Sequence, residues 1–174
     1  MTDIRPARPE DWPGLWEIFR LVVEKGDTYP YAMNTDEEEA RRLWLDVPQA
    51  TYAAADGDRV RGTYILKPNQ YFETEPAILK PNQPALGAHV CNAGYMVHPD
   101  ARGRGLGRAL CAHSLNEARK LGFTAMQYNL VVVTNAGAIR LWTEMGFETV
   151  GVLAKSFRHG EKGLVDALIM YREL

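Results

Sequence analysis

The chain has 174 residues, 46% of them apolar and 24% charged, with a formal net charge of −2 at pH 7. That length suits one domain, residues 1–174, with a real core, and the charge balance gives no global pull toward nucleic acid or an anionic membrane. Two cysteines and four histidines without ligand spacing argue against a disulfide framework and against a metal site.

The first residues, Met-Thr-Asp-Ile-Arg-Pro-Ala-Arg-Pro-Glu-Asp, hold no apolar leader. No run approaches the ~18 apolar residues of a membrane span, so a cytoplasmic protein is the default expectation. Residues 2–8 read as a short strand, which Pro6 sends to a sheet edge. A helix follows from Pro9-Glu10-Asp11 to about Lys25, with Leu15, Trp16, Phe19, Val22 and Val23 as its stripe and Gly26 as its stop. Residues 27–31 form a loop with Tyr29 and Tyr31. Thr35-x-x-Glu38 reads as a capping box for a helix to about Trp44.

Ala50 to Ala55 and Arg59 to Leu66 read as strands joined at Asp56-Gly57-Asp58, a strong hairpin signal. Residues 67–88, rich in Pro, Asn and Gln, read as a lengthened loop. Within it Leu66-Lys67-Pro68-Asn69-Gln70 recurs as Leu79-Lys80-Pro81-Asn82-Gln83, a single echo, which is too little for a repeat architecture. After a strand at 90–97 and a helix opening near Leu106, Leu121-Gly122-Phe123 and Gly146-Phe147 read as Schellman-type helix ends. They flank a strand at 125–133 and a helix at 136–145 capped by Thr134 or Asn135. Strands at 148–154 and 164–171, separated by a polar turn, close one mixed α/β sheet covered by helices on both faces.

The chain turns on residues 89–107. A β-branched and aromatic strand ends at Pro99-Asp100. Gly103, Gly105 and Gly107 then open a helix. Glycines let backbone N–H groups crowd round a ligand, and a helix N-terminus adds a positive dipole end. Arg102, Arg104 and Arg108 add charges that suit phosphate. A P-loop needs Gly-Lys-Ser/Thr, which is missing. A dinucleotide fingerprint needs Gly-x-Gly-x-x-Gly and a later acid, and neither is present.

Arg102-x-x-Gly105-x-Gly107, directly after a strand ending Val-x-Pro, resembles the acetyl-CoA loop of the GNAT N-acetyltransferases. Asn135-x-x-Ala138-x-x-Leu141-Trp142-x-x-x-Gly146-Phe147 resembles the same family's second motif. The resemblance implies a GNAT fold: a central, mostly antiparallel sheet that splays between its fourth and fifth strands, helices on both faces. It implies acetyl-CoA as cosubstrate, with Tyr95, Met96 and Val97 offering strand backbone to the pantetheine arm. Gly103 through Arg108, Leu106 included, would hold the pyrophosphate, and Asn135 would contact the cofactor. A backbone N–H of Met96 or Val97 would meet the oxyanion. A homodimer is common in the family. Trp142 stands where many members place a Tyr that protonates the leaving thiolate; an indole is no usable acid.

The two central strands hold no Asp or Glu. They hold Asn92 and Asn129 instead, either as backbone partners at the splay or as a pair gripping an acceptor's carboxylate. His-Val-x-Asn-Ala-Gly-Tyr-Met-Val, with Asn-Leu-Val-Val-x-Thr-Asn, resembles a subgroup that includes the fungal L-azetidine-2-carboxylate acetyltransferases. There, Asn at these two positions binds the carboxylate of a cyclic imino acid. Tyr29 is a further candidate wall for a small-molecule amine. Gly94 reads as a residue that permits a local break, His98 as a surface turn residue, and His89 as a base acting through water. A non-catalytic acyl-CoA sensor and an acetyltransferase acting on a protein or peptide amine are the alternatives. Nucleic acid is not expected as a partner.

Overall fold

The computed structural model describes residues 2–72, 79–81 and 85–174. The elements run β1 (Asp3–Pro6), α1 (Trp12–Val23), α2 (Glu37–Arg41), β2 (Ala50–Asp56), β3 (Arg59–Pro68), β4 (Gln70–Phe72), β5 (Leu79–Pro81), β6 (Val90–Val97), α3 (Leu106–Lys120), β7 (Ala125–Val132), α4 (Ala136–Glu144), β8 (Glu148–His159) and β9 (Gly163–Glu173). Seven strands form a mixed sheet in the order β1-β2-β3-β6-β7-β9-β8. Its β6–β7 pair is parallel and the other pairs are antiparallel. Pro6 lies on the outer strand β1, where a missing donor costs nothing to the ladder.

Alternation along the strands divides the core in two. Tyr52, Tyr64, Leu66, Cys91 and Ala93 pack with Leu110, Cys111 and Leu115 of α3. Ala53, Ile65 and Met96 on the opposite face pack with Leu15, Ile18 and Phe19 of α1 and with Trp44. The side chains of Lys67 and Asn92, and the open position at Gly94, therefore belong to the α1 side of the sheet.

Both Gly-Phe helix ends form as the sequence indicates. Phe123 N–H donates to Ala118 O, and Phe147 N–H donates to Trp142 O, both at 3.0 Å. Gly122 and Gly146 adopt φ of +87° and +84°. Three expectations need correction. Asp36, not Thr35, caps α2 by accepting from Glu39 N–H at 2.9 Å, and the helix then loosens into a π-turn over Arg42–Asp46. The outer strand β8 runs to His159 because bulges let it follow β9 past Leu153; Asp166 accepts from Lys155 N–H at 2.8 Å there. The stretch 67–88 is not wholly loop. β3 continues through Pro68, Asn69 N–H donates to Val90 O at 3.1 Å, and β4 pairs with β5. The Asn82-Gln83 half of the echo lies outside the described residues.

Candidate active site

The parallel pairing of β6 with β7 lasts two rungs, Val90 with Ala125 and Cys91 with Met126. Beyond them the strands part. β7 shifts register against β9 between Tyr128 and Val131, which lets it leave β6 while staying in the sheet. Gly94 is not the hinge: it keeps its register opposite Ile65. Its missing side chain instead leaves room for the Tyr29 hydroxyl, which would stand 3.2 Å from an added Cβ.

The gap opens into two cavities. The larger, about 780 Å³, extends from Tyr95, Met96 and Val97 of β6 to the glycine loop. The chain leaves β6 at His98, whose Nδ1 accepts from Asp100 N–H at 3.2 Å, and turns tightly over Pro99–Ala101. Gly103 and Gly105 then take φ of +72° and +80°, conformations costly to any residue with a Cβ. Ala109 is the first helical donor to find its acceptor, Gly105 O at 3.1 Å. The N–H groups of the turn before it have no helical acceptor. Gly103, Gly105, Leu106, Gly107 and Arg108 line the cavity at that end, with Arg102 beside them. Arg104 is exposed and lines neither cavity. Arg108 forms an ion pair with Glu144. Asn135 faces both cavities and caps α4, its Oδ1 accepting from Ala138 N–H at 3.1 Å.

Strand parity sorts the backbone donors. His98 N–H donates to Arg61 O of β3 at 2.9 Å, and antiparallel ladders alternate. Met96, opposite Thr63, therefore directs its N–H toward β3, whereas Tyr95 and Val97 direct theirs into the gap. This corrects the expectation for Met96 as an oxyanion donor and leaves Val97. Tyr95 O is already taken, since Tyr29 O–H donates to it at 2.8 Å.

The smaller cavity, about 240 Å³, lies on the α1 side and is walled by Tyr29, Tyr31, Lys67, Asn92, Gly94 and Asn129, among others. Asn92 and Asn129 thus face one space. The Asn129 amide is locked: its Oδ1 accepts from Gln127 Nε2 at 2.8 Å, and its Nδ2 donates to Asn69 Oδ1 at 2.6 Å. These two bonds fix which way the amide faces and leave one N–H and one oxygen lone pair free of them. No Asp or Glu lines this cavity among the described residues. Burial lowers the Lys67 pKa.

The two cavities meet at Thr28, Tyr95, Asn135, Ala138 and Trp142, which line both. Trp142 packs on Tyr95 and Tyr128 with ring centroids 4.9 and 5.2 Å apart. Behind it Ser114 O–H donates to Cys111 O at 2.8 Å. Tyr95 O–H therefore donates to Ser114 Oγ at 2.7 Å, and Tyr128 O–H to Tyr95 at 2.9 Å. Burial pushes the phenols of Tyr29, Tyr95 and Tyr128 up, and Tyr31 up to about 12. All four stay protonated and are poor acids.

The histidines do not supply a base within the smaller cavity. His89 is exposed, its Nδ1 3.1 Å from Leu86 O, and lines neither cavity. His98 is buried rather than on the surface, at 6% exposure. His159 lines the larger cavity; its Nδ1 accepts from Glu161 N–H at 3.1 Å, which makes the neutral ring a donor at Nε2. Asp27 and Glu161 reach the same cavity, because Gly160 N–H donates to Gly26 O at 2.8 Å and docks the β8–β9 turn on the end of α1. Sequence reasoning missed Lys67, Asn69, Gln127, Asp27 and Thr28. Parity with Asn92 and Asn129 was the available signal for Lys67 and Gln127.

The model of the acetyltransferase (GNAT) family matches residues 8–147. The chain is 30% identical over 151 residues to N-acetyltransferase aca1 of Schizosaccharomyces pombe, covering 84% of this chain and 72% of that protein. A GCN5-related N-acetyltransferase from Kribbella flavida has a similar structure, with a TM-score of 0.85 at 38% identity over 99% of this chain and 98% of that one. A ribosomal-protein-alanine N-acetyltransferase from Brucella melitensis gives a TM-score of 0.81 at 26% identity, covering 99% of each chain.

Proposed function

The chain belongs to the GNAT acetyltransferase family, and from that premise we propose that it moves acetyl from acetyl-CoA directly onto the amine of a small molecule bearing a carboxylate. A cyclic imino acid such as azetidine-2-carboxylate fits. The observation that carries the acceptor class is the smaller cavity, where Asn92 and an Asn129 amide held in orientation with one N–H to spare face one space free of Asp and Glu among the described residues. A cavity of about 240 Å³ suits a small acceptor better than a peptide terminus.

In this reading the pyrophosphate of acetyl-CoA lies on the N–H groups from Gly103 to Arg108, beside Arg102. The pantetheine arm runs along Tyr95 to Val97 and past Asn135. Tyr29 and Gly94 shape the acceptor's pocket. The neutral amine, its proton passed to water, attacks the thioester carbonyl where the two cavities meet. Val97 N–H donates to the oxyanion. The intermediate collapses with the electron pair leaving on sulfur, and the nitrogen gives up the proton it still carries to water, which leaves the neutral amide. A thiol pKa near 8.5 lets CoA depart as thiolate without an acid, so a tryptophan at position 142 is tolerated. The rate comes from proximity and a polarised carbonyl.

A cytoplasmic setting is supported by the two buried free thiols, Cys91 and Cys111, which need no oxidising compartment. A homodimer is supported by the outer strand β8, which leaves Val150 and Val152 about 60% exposed. The test of the activity is CoA release, followed by thiol detection, across cyclic imino acids, α-amino acids, polyamines and short peptides. Release with the imino acids is expected. Asn92→Ala and Asn129→Ala should each raise the acceptor KM about 10–100-fold, the loss of one hydrogen bond to a charged group, with the acetyl-CoA KM unchanged. An unchanged acceptor KM in both variants would sink the asparagine clamp.

A further inference from the structure

We infer that Thr28 and Asp27 form the route by which the reacting nitrogen sheds its proton to water: the Thr28 hydroxyl accepts the N–H and passes its own proton to the Asp27 carboxylate. This rests on direct transfer where the two cavities meet, as proposed above. It goes beyond that reading by assigning a base to a pocket whose described lining holds no Asp or Glu.

Thr28 lines both cavities, and Asp27 lines the larger one alone. Thr28 O–H donates to Asp27 Oδ1 at 2.8 Å. A hydroxyl whose one proton is committed offers a ligand its lone pairs, so Thr28 meets an amine as an acceptor. The other residues shared by the two cavities do not repeat this arrangement. Ala138 is apolar, and the Trp142 indole donates without accepting. Tyr95 lies between Ser114 and Tyr128, and Asn135 Oδ1 holds Ala138 N–H. Thr28 is thus the one of the five whose hydrogen bond ends on a carboxylate. The pair follows directly on Gly26, whose carbonyl accepts from Gly160 N–H at 2.8 Å, so the β8–β9 turn braces it. His159 and Glu161 of that turn reach the larger cavity but not the smaller one, and the Nδ1 of His159 already accepts from Glu161 N–H. The step balances. As nitrogen bonds to the carbonyl carbon, its N–H bond breaks and an O–H bond forms at Thr28 Oγ1. The original Thr28 O–H bond breaks, and that proton ends on Asp27 Oδ1. Asp27 then releases it to water in the larger cavity, and the pair resets.

The test reads kcat and both KM values by CoA release in wild type, Asp27→Asn, Thr28→Val, Thr28→Ser and the Asp27→Asn/Thr28→Val double variant. The acceptor is the amine that gives the fastest release in the panel above. An asparagine at 27 still accepts from the Thr28 hydroxyl but cannot take its proton, so Asp27→Asn removes the chemistry and keeps the hydrogen bond. Its kcat should fall about 10–100-fold, less than a full general-base effect because water takes over in part, with both KM values within about twofold of wild type. Thr28→Val should lose a similar factor, and Thr28→Ser should recover most of it. Because the two groups act in series, the double variant should be no slower than the slower single one. A kcat within about twofold of wild type in a folded Asp27→Asn overturns the relay and leaves direct transfer standing. Losses that multiply in the double variant also overturn it, since they mark two separate structural effects. A wild type that releases no CoA with any amine of the panel overturns the direct-transfer reading and the relay with it. If Asp27→Asn fails to fold, Thr28→Val against Thr28→Ser carries the same comparison.

Discussion

Tyr29 separates two ways in which an aromatic residue can serve a pocket. Its ring walls the smaller cavity, stacks on Tyr31 at 5.6 Å and meets Trp44 edge-on at 5.8 Å. Its hydroxyl points elsewhere, donating to Tyr95 O at 2.8 Å. That carbonyl faces the gap between β6 and β7, where no neighbouring strand can supply a donor. Tyr29→Phe keeps the ring and removes the one hydrogen bond. A buried carbonyl left without a donor costs about 1–3 kcal/mol. For a chain of this size each kcal/mol moves Tm by about 2–4 °C, so a fall of about 2–12 °C is expected by calorimetry. Acceptor KM and kcat should stay within about twofold. If Tm moved by less than about 1 °C while acceptor KM rose about tenfold, the hydroxyl would be serving the ligand and the assignment to the strand would be wrong.

The glycine loop answers to conformation rather than to space. Gly105 has φ of +80° and nothing within 4 Å of an added Cβ, so Gly105→Ala should lower stability by about 1–2 kcal/mol through the left-handed backbone alone and raise the acetyl-CoA KM while leaving the acceptor KM unchanged. Melting curves and initial rates check both halves. Asp11 is held by Arg5 at 2.6 and 2.9 Å and by Arg8 N–H at 2.7 Å. The bond from Arg5 is the first cause of its lowered pKa. A carboxyl whose folded pKa is depressed contributes stability that is complete above its unfolded value near 4 and is lost as pH falls through the folded value. Asp11→Asn should therefore destabilise the protein at pH 7, and its denaturation midpoint should fall less than that of wild type below about pH 4.

The cofactor end was legible in the sequence because its physics is local. Positive-φ glycines, a proline stop and a helix start fall within one short stretch, and each carries a residue-type signature. The two Gly-Phe helix ends were readable for the same reason. The acceptor end depends on contacts distant in sequence. Asn69 reaches Asn129 across 60 positions, and its neighbours are the Pro, Asn and Gln residues that otherwise mark a loop. The burial of His98 was missed because a histidine beside a proline looks like a turn, while its packing against the sheet and against α1 is tertiary. Met96 was a reasonable oxyanion candidate from the motif. Only the register, fixed by His98 N–H on Arg61 O, shows which way each donor points.

The gap itself has two unlike faces. On the α3 side Tyr95 and Tyr128 join across the parted strands through their hydroxyls at 2.9 Å, and Ser114 and Trp142 close the space behind them. Each hydroxyl in that wall already has its partner. On the α1 side the same strands present Asn92, Asn129 and, from β3, Lys67. The larger cavity enters from the other end, where the α3 N-terminus favours anionic charge. In the centre burial keeps the phenols protonated, and the backbone N–H groups that parity directs into the gap are those of Tyr95 and Val97. A substitution that perturbs either end should change a KM, and one that bends β6 at Val97 should change kcat.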